Sequence, residues 1–309
     1  MGSGRPVQPV ALGGVIVAAV TPYRRQGPEA DLGATLDLID YLCDAGAQGI
    51  ALLGSTGEFL HLTVENRAHL IRFAVKRSRV PVLAGVSDST LDGAAAMAEE
   101  AAAAGAAGLL LMPPYFFRYE QPEIREFYLR FAERLDGAAP LFLYNIPFFT
   151  SEIACDTACE LLSTGAFAGV KDSSGQLDYC ARLLDQRART RFTVIVGNDV
   201  VFTPARQAGA DGVVSGVACA VPELMLGLDG AIRHGLAEKT ARLEARLQEF
   251  IVWLNRFPAP VGLKEATAAR GLNIGPLAVP LSPDKQKELD EFRAWFLDWL
   301  PRVQNESRG

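Results

Sequence analysis

The chain has 309 residues, enough for one large domain or two ordinary ones, because α/β barrels routinely exceed the usual length of roughly 150 residues per domain. It is 49% hydrophobic and 21% charged, which supplies a sizeable core and excludes wholesale disorder. Thirty basic against 36 acidic residues leave a net charge of −6 without a basic tract, so nucleic acid and membrane surfaces are not expected partners.

Residues 1–10 (MGSGRPVQPV) lack periodicity and read as a disordered N-terminal segment. Short apolar runs then alternate with longer helical stretches. The runs are VIVAAV (15–20), GIALL (49–53), PVLAG (81–85), GLLLM (108–112), PLFLY (140–144), FAGVK (167–171), FTVIVG (192–197) and DGVVSG (211–216). Their continuous hydrophobicity is that of parallel strands covered on both faces. Amphipathic or Ala-rich stretches follow them at 33–45, 65–78, 90–104, 123–134, 156–163, 175–187, 199–208 and 222–234. Eight βα units in series, with no linker between them, predict an α/β protein with a (β/α)8 TIM barrel over residues 11–235. A doubly wound open sheet shares this alternation, but no glycine-rich nucleotide-binding motif follows the first run.

Helical segments at 236–256, 260–271 and 283–300 predict a C-terminal helical extension (236–300), followed by a tail at 301–309. The last helix aligns Leu289, Phe292, Phe296 and Trp299 in one apolar stripe, which reads equally as packing onto the barrel or as a subunit contact. Five cysteines, an odd number, and a start unlike a signal peptide fit a reducing cytoplasm. Cys155 and Cys159 are four apart, yet there is no CxxC and no histidine spaced to join them, so small helix cysteines are expected rather than a metal site. The most apolar stretch, 212–232, contains Pro222, Glu223 and Asp229 and is too polar to span a membrane.

Barrel chemistry is built where strands end, so the polar residues closing each run are the candidates. Lys171 closes the sixth run and projects its amine into a mostly dehydrated mouth, where burial disfavours an ammonium and favours a nucleophile that forms an iminium with ketones. The competing reading pairs it with Asp172 merely to close the barrel. Tyr144 ends the neighbouring strand, and its phenol there could donate and accept a proton beside Lys171 or simply bond a carbonyl. The loop Gly54-Ser55-Thr56-Gly57-Glu58 offers backbone N–H groups and two hydroxyls as a carboxylate cradle. Together these point to a 2-oxo acid, its ketone at the amine and its carboxylate in the cradle.

The segments GSTGE, YNIP, GVKDSSG and GND, each at a strand end and in this order, resemble the dihydrodipicolinate synthase and N-acetylneuraminate lyase superfamily. The resemblance covers essentially residues 11–300. It implies a (β/α)8 barrel with a C-terminal helical extension, a Schiff-base lysine on the sixth strand, pyruvate as substrate or product, no cofactor, and a homotetramer. It makes Lys171 the imine lysine, Tyr144 the proton relay, and Ser55 with Thr56 the carboxylate binders, Thr56 also serving in the relay. Ser173, Gly197, Asp199 and Gly216 fall where substrate-contacting residues lie.

Three positions depart from the family pattern. Dipicolinate synthases place an arginine two residues after the proline of YNIP, where this chain has Phe149, preceded by Phe148. A phenyl ring cannot replace that guanidinium fork. The second relay tyrosine falls at Phe116, next to Tyr115, and the glutamate that sialic acid lyases direct toward sugar hydroxyls falls at Val200. Phe116 and Phe149 are therefore expected to face the substrate in a pocket more apolar than usual. The expected activity is a class I aldolase or lyase that forms or cleaves a 2-oxo acid from pyruvate and an aldehyde, for example a 2-keto-3-deoxy sugar acid. Alternatives are a dehydratase of such an acid, a 4-hydroxy-tetrahydrodipicolinate synthase, or a non-catalytic keto-acid-binding paralogue.

Overall fold

Eight short parallel strands close on themselves in chain order, each hydrogen-bonded to the next and the last to the first. The computed structural model describes residues 12–25 and 29–308, so the N-terminal segment expected at 1–10 lies outside the described residues. The strands are β1 (Gly14–Ala18), β2 (Gly49–Leu52), β3 (Val82–Gly85), β4 (Gly108–Leu111), β5 (Leu141–Asn145), β6 (Gly169–Asp172), β7 (Thr193–Val196) and β8 (Gly212–Ser215). All but the start of β7 are buried, which is why their sequences read as unbroken apolar runs rather than as alternating ones.

The returning helices are α1 (Leu32–Asp44), α2 (Val64–Arg77), α3 (Leu91–Ala104), α4 (Gln121–Leu135), α5 (Cys155–Ser163), α6 (Leu177–Arg187) and α7 (Phe202–Ala208). After β8 come α8 (Val217–Ala220), a single turn that the sequence pattern does not announce, and α9 (Pro222–Arg233). The starts of α1, α2 and α3 are set locally: Asp31, Thr63 and Thr90 accept hydrogen bonds from the N–H groups of Ala34, Asn66 and Gly93. The five cysteines all lie on helices as free thiols, Cys180 and Cys219 buried and the others half-buried.

The extension consists of α10 (Ala237–Leu254), α11 (Val261–Ala269) and α12 (Pro283–Arg308). The stripe on α12 is buried within the chain: Trp299 stacks on Phe250 of α10 with ring centroids 5.4 Å apart, and Phe292 lies between Phe250, Trp253 and Phe257. Packing within the chain, not a subunit contact, therefore accounts for Leu289, Phe292, Phe296 and Trp299. The tail expected at 301–309 is instead helical through Arg308. Pro301 removes one backbone donor, but Val303 beyond it is buried and Arg246 pairs with Glu306, so the last turns stay docked. Among the described residues no helix is long and apolar enough to cross a membrane.

Candidate active site

Register decides which side chains meet. Tyr144 of β5 pairs with Lys171 of β6, and Asn145 with Asp172 one step further on. Successive side chains of a strand point to opposite faces, so Tyr144 and Lys171 share the barrel interior while Asn145 and Asp172 share the outer face. There Asn145 donates to Asp172 at 2.8 Å and the Ser174 hydroxyl donates to it at 2.7 Å. The carboxylate that could have neutralised Lys171 is committed elsewhere, and the barrel-closing pair is not formed.

Lys171 is 4% exposed and its Nζ lies 3.8 Å from the centre of the Tyr144 ring. The Tyr144 hydroxyl is 3.2 Å from the Ser55 hydroxyl on the β2 loop, so lysine, phenol and cradle form one continuous group. Burial alone pushes the phenol up, but the Lys171 ammonium and hydrogen bonding, that of Ser55 included, outweigh it and leave the phenol below its ordinary value. A phenol so placed gives up and regains a proton more readily than an ordinary tyrosine.

Lys171 opens on a cavity of about 250 Å³ that Ser55, Thr56, Ser173, Gly197, Asp199 and Gly216 also line, and Tyr144 is buried behind it, bonded to Ser55. Glycine at 197 is a packing requirement: a side-chain carbon there would come within 2.1 Å of the Ser173 hydroxyl and 2.6 Å of Lys171 Cε. The lysine stem therefore lies directly on backbone. Among the described residues the Ser173 hydroxyl and Asp199 Oδ1 are buried without hydrogen-bond partners, in a cavity where a polar ligand would supply them. The other Asp199 oxygen accepts from Val217 N–H at 3.3 Å, and burial raises this carboxyl above its ordinary value.

The structure separates two expected site residues from the rest. Phe116 and Phe149 line a neighbouring cavity of about 360 Å³ with Phe59, Leu60, Met112 and Tyr115, and it meets the lysine cavity only at Ser55. Phe116 is 88% exposed, with its backbone at φ 80°, and does not line the lysine cavity. The aromatic residue that does line the lysine cavity is Phe148, one position earlier, joined by Val200. Sequence reasoning missed the outer wall, which comes from the extension: Ile251, Leu254 and Asn255 at the end of α10, and Leu263 of α11. No local signal marks them, since their apolar spacing is that of any packed helix.

A second buried lysine needs to be distinguished from the first. Lys264 of α11 is 2% exposed, but its ammonium is paired with Glu58 and covered by the Tyr23 ring at 3.9 Å, and it does not line the cavity. Burial pushes its ammonium down in pKa while Glu58 pulls the other way. A paired, sealed amine is a poor nucleophile, and of the two buried lysines Lys171 is the one that opens on the cavity.

A sequence profile of the Dihydrodipicolinate synthetase family matches residues 11–296. An uncharacterized DapA-like lyase of Halobacterium salinarum is 33% identical over 283 residues, 91% of this chain and 90% of its own. A 4-hydroxy-tetrahydrodipicolinate synthase of Thiobacillus denitrificans is 34% identical over 273 residues, 87% of this chain and 91% of its own. Among solved structures, dihydrodipicolinate synthase from Aquifex aeolicus is similar with a TM-score of 0.87 at 28% identity, covering 94% of this chain and 99% of that one. YagE, a prophage protein of the dihydrodipicolinic acid synthase family from E. coli in complex with pyruvate, gives 0.86 at 25% identity, covering 93% and 98%.

Proposed function

The chain belongs to the dihydrodipicolinate synthetase family, and from that membership and its barrel mouth we propose a Schiff-base aldolase that joins pyruvate to, or releases it from, an aldehyde with little charge. The observation that carries this reading is the register of Lys171 beside Tyr144, with the Ser55 hydroxyl 3.2 Å from the phenol. In the cleavage direction, Lys171 Nζ adds to the ketone carbon of the 2-oxo acid, and the carbinolamine hydroxyl leaves as water with the phenolic proton of Tyr144, giving an iminium and a phenolate. Tyr144 takes the proton of the C4 hydroxyl as the C3–C4 bond breaks, the electron pair passes to the iminium as an enamine, and the aldehyde leaves. Protonation of the enamine at C3 and hydrolysis return pyruvate and the free lysine. Ser55 and Thr56 hold the carboxylate. Ser173 and Asp199 offer unfilled hydrogen-bonding capacity to the rest of the ligand.

The aldehyde end faces Phe148, Val200, Ile251, Leu254 and Leu263, with Asn198 and Asn255 as the neutral polar groups. Lys171 is the only cation among the lining residues, so a second carboxylate on the substrate would find no guanidinium there. This favours a short or weakly hydroxylated aldehyde over an anionic one. The exposed Phe116, Phe117, Phe148 and Phe149 beside the mouth support self-association, and the homotetramer common in the family is the assembly we infer; light scattering on the purified protein checks it.

Incubation with pyruvate and borohydride, followed by peptide mass analysis, tests the chemistry. The reduced adduct is expected on Lys171. An adduct on Lys264, or none at saturating pyruvate, would refute the mechanism.

A further inference from the structure

The loop carrying Ser55 and Thr56 is held in a conformation that its residues do not choose freely. Leu53 before it (φ 58°) and Glu58 at its end (φ 50°) both occupy the left-handed region, which is strained for a non-glycine residue. Between them the turn is tight: the Glu58 N–H donates to the Ser55 carbonyl at 3.1 Å, the Thr21 hydroxyl donates to the Gly57 carbonyl at 2.6 Å, and a side-chain carbon on Gly57 would come within 2.8 Å of the Leu53 nitrogen. Such a conformation persists only where its surroundings over-determine it.

What holds the far end is a buried charge pair. The Glu58 side chain is turned inward, and its carboxylate meets the ammonium of Lys264, more than 200 positions later in the chain. Neither charged atom has another hydrogen-bond partner among the described residues. The Tyr23 ring lies against the ammonium, and His61 Nδ1 is 3.4 Å from the other Glu58 oxygen. The end of β1, the cradle loop and α11 are thus pinned at one point. Leu263, the residue before Lys264, lines the lysine cavity.

A buried pair of this kind is weak evidence for stability, because desolvation of two charges offsets much of their attraction. Its location suggests a different use. We propose that Glu58 and Lys264 are positioning residues: their ion pair ties α11 of the extension to the cradle loop and fixes Ser55 and Thr56 at the distance from Lys171 at which a 2-oxo acid spans the two. The inference rests on the Schiff-base reading above. Neither residue touches the substrate; both act through the loop.

The experiment measures the pyruvate concentration that half-saturates borohydride trapping, by intact mass, alongside Tm. The informative variant is the double substitution Glu58→Met with Lys264→Met, which replaces the pair by apolar side chains of similar length and is expected to fold with Tm near that of the wild type. Its half-saturating pyruvate should rise about 10-fold to 100-fold, the scale of an ångström-level misplacement, while the plateau of trapped protein stays at the wild-type level because Lys171 and Tyr144 are untouched. Glu58→Asp keeps both charges but shortens the tether, and should raise half-saturation by a smaller factor of roughly three, so the inference stays testable even if the double variant folds poorly. Trapping by the folded variants at the wild-type pyruvate concentration would overturn the positioning role and leave the imine reading standing. If the wild type itself traps no pyruvate, the imine reading fails and the positioning role fails with it.

Discussion

At Tyr144 two opposing influences decide what the side chain can do. Burial opposes the phenolate, while the neighbouring Lys171 ammonium and the hydrogen-bonded Ser55 favour it more strongly. The phenol is thereby suited to moving a proton, and Tyr144→Phe removes that capacity without removing the ring that covers the lysine stem. Turnover is expected to fall by about 10² to 10⁴, the usual contribution of a proton-transfer group, while the variant still traps pyruvate. Unchanged kcat would reduce Tyr144 to a packing residue. Asp199 presents the opposite balance, since burial dominates and raises its carboxyl. The unfolded chain releases this proton at lower pH than the folded one, so the folded state loses stability as pH climbs from the unfolded value through the folded value. Asp199→Asn removes the loss. Its Tm should exceed that of the wild type at pH 8, and the gain should vanish below about pH 4, where the carboxyl is protonated in the folded and unfolded chain alike. Calorimetry at the two pH values measures the difference; equal Tm values at pH 8 would mean that the surrounding donors fully compensate the buried charge.

Among the elements, α10 and α12 of the extension are tied to each other by aromatic packing. Phe292 of α12 is fully buried against α10, and truncation to alanine should cost about 3–5 kcal/mol. Because α10 and α11 supply the outer wall of the lysine cavity, Phe292→Ala is expected to loosen that wall and raise KM for the aldehyde more than for pyruvate. Equal changes in both would place the extension outside substrate recognition. The same elements mark the boundary of what the sequence discloses. The strands begin as apolar runs, and chemistry gathers where such a run stops, so Lys171, Tyr144, Ser55 and Thr56 are legible as strand-end residues; register sets Tyr144 beside Lys171, Ser55 meets the phenol, and Thr56 lines the lysine cavity. Phe116 and Phe149 line the neighbouring cavity instead, because spacing along a loop does not encode which of two adjacent cavities a side chain meets. Leu254 and Leu263 are invisible for a related reason: a helix shows which of its faces is apolar but not which cavity that face covers. Pro301 signals a helix end in sequence, but the buried Val303 beyond it keeps the helix going.

On the scale of the whole molecule, charge placement bears directly on the choice of aldehyde. The chain carries thirty basic residues, yet among the described residues only Lys171 of these lines the lysine cavity, and Arg118, the arginine nearest in sequence to the expected second-substrate position, donates to the Thr150 carbonyl instead. Phe149, at the position where dipicolinate synthases place an arginine, lies in the neighbouring cavity, and the apolar wall of the lysine cavity consists of Phe148, Val200, Ile251, Leu254 and Leu263. A substrate carboxylate directed at this wall would give up its water and gain no charge-assisted hydrogen bond, an interaction worth about 1.5–3 kcal/mol. That corresponds to roughly one to two factors of ten in selectivity, so at fixed pyruvate neutral aldehydes should be condensed with kcat/KM at least tenfold above that of aspartate semialdehyde. Adding the missing charge sharpens the comparison. Leu254→Arg places a guanidinium at the end of α10, where a long side chain can reach the cavity from the solvent edge, and should narrow or reverse the ratio with little change in borohydride trapping of pyruvate. Efficient condensation of aspartate semialdehyde by the wild type, with neutral aldehydes left unused, would show that a basic group from outside this cavity reaches the carboxylate and that the apolar wall does not set the specificity.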